Sequence, residues 1–294
     1  MTNIGRVGIW TFAFDQLPNA EAQALAAEVE QLGFGAIWIP EAVGKDPFVQ
    51  SALLLSATSS IALATGIASI YARDAMATKQ AQLTLTEAFP GRFLLGLGVS
   101  HAPMVEGMRG HTYAKPVPAM RAYLDAMDAA MYHGPTPSRP TSTVIGALGP
   151  KMLALAAERT QGVHPYNVTV EHTAIARAAV GPDGLVAPEL AVAVTADPAE
   201  ARAAGRAHLA IYLGLPNYVN NLRRLGFGDD DFADGGSDRL IDALVAWGSP
   251  AQIAARVREH HDAGADHVCL QVLVPRGRPG PPIAEWRELA AAVF

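Results

Sequence analysis

The stretch that most constrains the fold runs from Ile61 to His101 and contains two apolar segments separated by a helical pattern. Residues 61–67 and 93–98 are almost wholly apolar, as expected of strands that are buried on both faces. Over residues 76–88, apolar side chains recur at near-helical spacing, which predicts a crossover helix. The stretch therefore predicts one parallel strand–helix–strand unit. In such folds ligands bind at the carboxyl ends of the strands.

Strand and helix patterns alternate about eight times along the chain, with no compositional break that resembles a domain linker. This alternation predicts an α/β fold, a (β/α)8 TIM barrel with inserted loops, as a single domain over residues 1–294. The main insertion is expected at about residues 214–248. Its second helix is predicted to run from Asp238 to Trp247. A doubly wound open sheet remains the alternative, because periodicity alone does not close a barrel.

Composition limits the classes of partner and compartment. Apolar residues make up 50% of the 294 residues, which is enough for a large core, and the net charge of −6 disfavours a nucleic-acid partner. The single cysteine, Cys269, lies in an apolar run and is predicted to be a buried strand thiol. No apolar run approaches the roughly 20 residues of a membrane helix, and no signal-peptide pattern is present. We therefore expect a cytoplasmic protein with no membrane partner.

Common catalytic signatures are absent from the sequence. It contains no GxSxG elbow, P-loop, HExxH or CxxC pattern. His260 and His261 lie among charged residues of a predicted helix, so we expect a solvent-exposed pair and no metal site. None of the four lysines ends a predicted strand, which disfavours a Schiff-base aldolase. This poverty of reactive side chains suggests that a cofactor performs the chemistry while the protein orients it.

Four features at predicted strand ends are candidates for ligand contacts. Glu41 follows the second strand, where it either faces a ligand or forms a helix cap or a salt bridge at the rim. Gly66 interrupts an apolar strand, which often marks a bulge or a close approach of the backbone. Ser100 and His101 end a later strand, either facing the ligand or satisfied within their loop. Residues 149–151 begin a helix with Gly, Pro and Lys, which favours either an anion site or simple helix capping.

Several segments, in order along nearly the whole chain, resemble the luciferase-like family of flavin- and deazaflavin-dependent oxidoreductases. They are Glu30-xx-Gly33-Phe34-xx-Ile37-Trp38, Thr65-Gly66-Ile67, Pro90-Gly91-Arg92-Phe93-xx-Gly96-x-Gly98, Gly248-Ser249-Pro250-xx-Ile253-xx-Arg256-Val257 and Ala263-Gly264-Ala265-Asp266-His267-Val268. Residues 40–42 and 98–103 resemble the branch that uses the deazaflavin coenzyme F420.

The resemblance implies a barrel, often a homodimer, with the cofactor ring lying across the strand ends. It implies a non-prolyl cis peptide, which the alignment of residues 64–73 places at Gly66–Ile67. It also implies which residues contact the cofactor. The expected ring contacts are Glu41, Gly66, Ile67, Ala68, Gly98 and Ser100. The expected phosphate contacts are Leu148, Gly149, Pro150 and Lys151, with His164, Pro165 and Tyr166 nearby.

The sequence departs from the family pattern at one position. Relatives such as the sugar-phosphate dehydrogenases carry a His directly after the acidic residue, but here Ala42 follows Glu41. We therefore expect His101 or His164, together with Glu41, to act in catalysis. A substrate pocket is expected from Trp10, residues 102–115 and residues 215–247.

The resemblance thus predicts an enzyme that transfers a hydride between F420 and an unidentified small organic substrate. One alternative is an FMN-dependent monooxygenase on the same barrel, because both cofactors present a tricyclic ring and a phosphate. The other alternative is a member of the fold that binds a cofactor without turning it over. The sequence leaves the substrate and the direction of the reaction open.

Overall fold

A ring of parallel strands surrounded by helices forms the centre of the protein in the computed structural model, which describes residues 1–274, 278 and 280–294. The strands are β1 (Val7–Trp10), β2 (Ala36–Ile39), β3 (Ala62–Thr65), β4 (Ala68–Ser69), β5 (Phe93–Gly98), β6 (Thr143–Ile145), β7 (Gly162–Val163), β8 (Leu185–Val186), β9 (Glu189–Ala193), β10 (Val245–Trp247) and β11 (Val268–Val272). The helices are α1 (Asn19–Gln31), α2 (Pro47–Ser56), α3 (Ala75–Ala88), α4 (Pro116–Asp128), α5 (Pro150–Arg159), α6 (Val170–Val180), α7 (Pro198–Leu209), α8 (Pro216–Arg224), α9 (Asp229–Phe232), α10 (Asp238–Leu244), α11 (Pro250–Asp262) and α12 (Ile283–Val293).

The ring closes through the segment that contains β8 and β9. From β11 the parallel pairing runs through β1, β2, β3, β5, β6 and β7 to β8, and β9 pairs with β11. Only Ala187 and Pro188 separate β8 from β9, and backbone hydrogen bonds continue across them. Ala187 N donates to Val163 O at 3.0 Å, and Cys269 N donates to Pro188 O at 3.1 Å. The predicted (β/α)8 barrel is therefore confirmed, and an open sheet is excluded.

Two clusters of apolar side chains stabilise the barrel. Inside the barrel, Trp38, Ala64 and Cys269 belong to one buried cluster, which also includes Trp10 at the carboxyl end of β1. A larger cluster fills the space between the outer face of the strands and the helices. Helix α2 begins at a cap that the sequence supplies, because the carboxylate of Asp46 accepts hydrogen bonds from two backbone N–H groups of its first turn.

Two predictions from the sequence are wrong at the level of single elements. The helix expected to reach Trp247 ends at Leu244, and residues 245–247 form β10, which pairs with the outer edge of β9. That edge of β9 is available because β7 pairs with β8 and not with β9. Val245 is β-branched and Trp247 is aromatic, and both residue types favour strands. His260 is buried, not solvent-exposed, because it faces α6, where its Nδ1 lies 2.9 Å from Oγ1 of Thr173.

Three further expectations concern groups that the structure describes directly. Cys269 is a fully buried strand residue, as predicted. No helix within the described residues is long and apolar enough to cross a membrane. The same residues contain no group of three or more His, Cys, Asp or Glu side chains arranged to hold a metal ion.

Candidate active site at the carboxyl ends of the strands

Between β3 and β4 the chain contains a cis peptide bond at Gly66–Ile67, as predicted. The carbonyl oxygen of Gly66 accepts a hydrogen bond from Nε1 of Trp10 at 2.9 Å. A Cβ atom at position 66 would lie 2.6 Å from that nitrogen and 3.1 Å from Nε2 of His164. Position 66 therefore requires glycine, because Trp10 and His164 close the space behind it.

Ile67 and Gly98 form a ledge at the ends of β3 and β5. A Cβ atom at Gly98 would lie 2.5 Å from Cδ1 of Ile67, so the glycine leaves the space in which Ile67 packs. Ile67 is partly exposed, whereas Ala68 is buried and pairs with β5. Ser100, two residues after Gly98, has a φ of +53°, and its carbonyl oxygen accepts a hydrogen bond from the hydroxyl of Tyr113. The structure thus brings these predicted ring contacts together.

Glu41 lies beside this ledge and is held by several donors. Its carboxylate accepts hydrogen bonds from the backbone N–H of Ser69 at 2.7 Å and from both Nη atoms of Arg73 at 2.6 and 3.0 Å. Arg109 approaches to 4.0 Å, and the carboxylate side chain is only 7% exposed. The backbone N–H of Glu41 donates to the carbonyl oxygen of Ile67 at 3.2 Å. Glu41 therefore forms a salt bridge with Arg73 at the rim, and its backbone is hydrogen-bonded to Ile67 of the ledge.

The two predicted catalytic histidines lie in different surroundings. His164 stacks on Trp38 inside the barrel at a centroid distance of 4.3 Å, behind Gly66. Its Nδ1 lies 2.8 Å from the carbonyl oxygen of Ala187, and its Nε2 has no hydrogen-bond partner in the described part of the chain. Burial lowers the pKa of His164 to about 4, so the ring is neutral. His101 lies near the barrel mouth, 5.7 Å from the ring of Tyr218, and burial lowers its pKa too.

The start of α5 carries the predicted phosphate contacts. Gly149 is the N-cap and offers no side-chain oxygen to the first N–H groups of the helix, while Lys151 is exposed. The carbonyl oxygen of Leu148 is occupied by Nε2 of His172 at 2.8 Å. Nη2 of Arg224, from α8, lies 3.3 Å from where a Cβ atom at Gly149 would stand. The insertion therefore supplies a cation to this helix start.

An aromatic cluster closes the mouth beside Pro165, a predicted contact that is itself buried. The ring of Tyr166 lies 5.1 Å from Trp10, 5.4 Å from Tyr212 and 6.5 Å from Tyr218. Its hydroxyl accepts a hydrogen bond from the hydroxyl of Tyr212 at 3.1 Å. Burial raises the pKa of Tyr166 well above its usual range, so the phenol keeps its proton.

A buried carboxyl group, Glu189, lies near these tyrosines at the start of β9. Its side chain accepts one hydrogen bond, from the backbone N–H of Asn167 at 3.0 Å. Its other oxygen, Oε1, has no partner within the described residues. Burial raises the pKa of Glu189 to about 8, so the group keeps its proton at neutral pH.

A cavity of about 700 Å³ opens beside Trp10, at the ends of β1, β9 and β11. Its apolar wall includes Phe12, Leu17, Val194, Ala203, Ala204, Ala207, Val272 and Leu273. The predicted cofactor contacts do not line it, and neither do residues 102–115 or 215–247, so Trp10 alone is shared with the expected substrate pocket. His111 and Thr112 instead line a smaller cavity of about 410 Å³ beside Arg73.

A closed (β/α)8 barrel with candidate ligand groups on the loops at its strand ends defines the class of protein. The sequence profile of the luciferase-like monooxygenases matches residues 6–267, and the chain therefore belongs to this family of enzymes. The 5,10-methylenetetrahydromethanopterin reductase of Methanolobus tindarius is 29% identical, over 88% of this chain and 93% of its own length. A Mycobacterium tuberculosis protein named as a coenzyme F420-dependent oxidoreductase is 31% identical, over 51% of this chain and 52% of its own length.

Solved structures share the fold along the whole chain. An F420-dependent secondary alcohol dehydrogenase, solved with an F420–acetone adduct, superposes with a TM-score of 0.76 over 100% of both chains at 15% identity. The F420-dependent tetrahydromethanopterin reductase of Methanopyrus kandleri gives 0.75 over 98% of this chain and 97% of its own, at 20% identity. The FMN-bound oxygenating constituent of 3,6-diketocamphane monooxygenase from Pseudomonas putida gives 0.71 over 99% of both chains at 14% identity.

Several groups that shape this end of the barrel escaped the sequence analysis. Glu189 had a usable signal, because a lone carboxylate in an apolar strand is unusual. Arg224 and Tyr212 had none, because they lie in or beside the insertion and reach the barrel only through the tertiary fold.

Proposed function

We propose that the protein is an oxidoreductase that transfers a hydride between coenzyme F420 and a small organic substrate. The observation that carries the proposal is the cationic start of α5, where Arg224 and Lys151 accompany an N-cap without a side chain. Backbone N–H groups and two cations suit a phosphate group. The names of the sequence relatives support F420 as the cofactor.

The residues present fit such a cofactor at both ends. Leu148, Gly149, Pro150 and Lys151 would hold its phosphate with Arg224, and Ile67, Gly98 and Ser100 would support its ring. When bound, F420 supplies a carbon, C5, that accepts or donates a hydride. Arg73 keeps Glu41 in place beside the ledge, and His164 supports Gly66 from behind, since its ring lies inside the barrel.

An FMN-dependent monooxygenase is the second candidate. It is favoured by the likeness to an FMN-bound monooxygenase, and the start of α5 would suit the phosphate of either cofactor. A third possibility is a protein that binds F420 without turning it over.

Titration of the purified protein with F420 and with FMN, followed by cofactor fluorescence, tests the proposal. We expect tight binding of F420 and weak binding of FMN. In Arg224→Gln we expect F420 affinity to fall about tenfold, the effect of losing one charge-assisted contact to a phosphate. Arg223→Gln is the matched control, because Arg223 lies on the same helix but pairs with Asp229.

Three results would count against parts of the proposal. Tighter binding of FMN than of F420 would favour the monooxygenase. Equal F420 affinity in the Arg224 and Arg223 variants would contradict the proposal that the phosphate binds at the start of α5. Binding of F420 without reduction or oxidation by any alcohol, ketone, enone or imine probe would favour the non-catalytic alternative.

A further inference from the structure

Within the described residues, the cavity beside Trp10 offers no unpaired cation to a ligand. The charged groups that these residues contribute to its wall are Glu200, Arg278 and Glu285. Glu200 accepts a hydrogen bond from the hydroxyl of Thr195 at 2.7 Å. Arg278 and Glu285 form an ion pair with one another. Among the described residues, an anionic substrate such as a sugar phosphate would find no unpaired cation and would face the carboxylate of Glu200, so the cavity suits a neutral, largely apolar molecule.

One polar group in this cavity is the side-chain amide of Gln271. A chain of hydrogen bonds fixes its orientation, because the hydroxyl of Tyr212 donates to that of Tyr166, which donates to Oε1 of Gln271 at 2.7 Å. The oxygen of the amide is therefore occupied. Its Nε2 has no hydrogen-bond partner in the part of the chain that the structure describes. The cavity thus contains a neutral donor held in one orientation.

A second polar group in the same cavity is the ring of His208. Its Nε2 lies 2.8 Å from Oδ1 of Asn167. Because an amide oxygen only accepts, Nε2 carries the hydrogen, and Nδ1 of this neutral ring is an acceptor. Burial lowers the pKa of His208 to about 4, which keeps the ring neutral at physiological pH. Nδ1 has no partner among residues 1–274, 278 and 280–294.

One neutral donor and one neutral acceptor in an apolar cavity complement a hydroxyl group, which accepts and donates at once. We propose that His208 and Gln271 bind the reacting oxygen of a neutral secondary alcohol or of the corresponding ketone, with His208 as the catalytic proton acceptor and donor. The proposal rests on the hydride transfer proposed above. It assigns proton transfer to a residue other than His101 and His164.

The reaction balances in both directions. In alcohol oxidation, the carbinol C–H bond would break, and oxidised F420, when bound, would supply the two-electron acceptor for the hydride. The O–H proton would pass to Nδ1 of His208 and from there to solvent, and the carbonyl oxygen that forms would keep the hydrogen bond from Gln271. In ketone reduction, bound F420 in its reduced form would supply the hydride, and the oxygen would take the proton that solvent delivers to Nδ1 of the otherwise neutral His208.

Turnover with F420 is tested on cyclohexanol and 1-phenylethanol, with glucose 6-phosphate as the anionic comparison. We expect reduction of F420 by the two neutral alcohols only. In His208→Ala we expect kcat to fall by about 100-fold or more, the usual contribution of a positioned acid–base group, with partial recovery when imidazole is added. The matched control is His133→Ala, because His133 is exposed and outside the cavity. F420 affinity should be unchanged in both variants.

A second measurement needs no cofactor. Calorimetric titration of the cofactor-free protein with cyclohexanone should detect binding that is about tenfold weaker in Gln271→Leu, because that variant removes the donor. Tyr166→Phe, which frees the amide to rotate, should give a smaller loss.

The outcomes separate the two proposals. If wild-type protein fails to bind F420, the proposed function falls, and cyclohexanone binding alone then decides on the His208–Gln271 pair. If F420 binds but neither neutral alcohol reduces it, the substrate assignment is overturned and the cofactor assignment stands. Equal kcat in the His208 and His133 variants would remove His208 from the reaction.

Discussion

Two largely buried carboxyl groups, Glu41 at the rim and Glu189 inside the barrel, show how differently one side-chain type is used here. Glu41 has three donors around it, two of them from the cation Arg73. Glu189 has a single backbone donor and an oxygen without a partner in the described chain. At the rim, the cation Arg73 therefore balances the negative charge of Glu41. In the interior, Glu189 keeps its proton and carries no charge.

The same contrast extends to the neighbours of each group. At the rim, Arg73 also pairs with Asp46, so ionic contacts link the loop after β2 to the segment after β4. In the interior, neutral rings contact one another, as in the 3.0 Å hydrogen bond from Nε1 of Trp38 to Nε2 of His267. Burial lowers the pKa of His267 to about 4. Stability should therefore depend on ion pairing at the rim and on pH in the interior.

The largest expected effect follows from removing the cation at the rim. Arg73→Met leaves the carboxylate of Glu41 buried without its main partner, which costs about 4 kcal/mol of unfolding free energy. Asp46→Asn is the control and should cost less than about 1 kcal/mol, since Asp46 is half-exposed and Asn preserves the helix cap. Urea unfolding at pH 7.5 measures both. Similar losses in the two variants would mean that the rim does not depend on balancing the charge of Glu41.

The second effect is a change of pH dependence from the interior. The carboxyl of Glu189 ionises near pH 4.5 when unfolded and near pH 8 when folded, so the unfolded state binds fewer protons between these values. Wild-type stability should then fall as the pH rises through this window, and Glu189→Gln should lack that loss. Between pH 5 and pH 8 the variant should gain about 3 kcal/mol relative to wild type.

Denaturant unfolding at several pH values measures the pH effect, with Glu158→Gln as the exposed control. The control should follow the wild-type pH profile within about 0.5 kcal/mol. A constant difference between wild type and Glu189→Gln across this range would show that Glu189 is ionised in the folded protein.

The smallest effect tests whether the ledge of Ile67 and Gly98 is independent of the buried carboxyl group of Glu189. Gly98→Ala places a methyl group against Ile67, whose carbonyl oxygen accepts from Glu41, and should cost about 2 kcal/mol by overpacking. Its pH profile should match that of wild type, because the ledge does not contact Glu189. Gly107→Ala, where nothing lies within 4 Å of the new methyl group, is the control. Thermal unfolding at pH 5 and pH 8 would reveal any change in pH dependence, which would connect the two regions.

The sequence predicted the barrel because its strands are short apolar runs at regular intervals, and burial on both faces leaves few other solutions. It failed at residues 245–247, where the pairing depends on an edge of β9 that only the closed ring creates. The burial of His260 had a usable signal, because His260 continues the helical spacing of the buried residues Ile253 and Val257.

From the residues alone, candidate contacts could be proposed where they lie directly after a strand or at a helix start, as for Glu41, Ser100 and Gly149. Gly98 and the cis bond at Gly66–Ile67 were predicted from the family resemblance. The partners that determine what each group can do come from distant parts of the chain, as Arg224 does for Gly149 and Tyr212 for Tyr166. Spacing in the sequence carries no information about such contacts.

A crystal structure of the protein with F420 bound tests the central claim most directly. The account predicts the phosphate of the cofactor within hydrogen-bond distance of the first N–H groups of α5 and of Arg224, with the ring against Ile67 and Gly98. The cavity that contains His208 and Gln271 should remain open beside the ring. A ring lying inside that cavity, or a phosphate remote from the start of α5, would contradict the account.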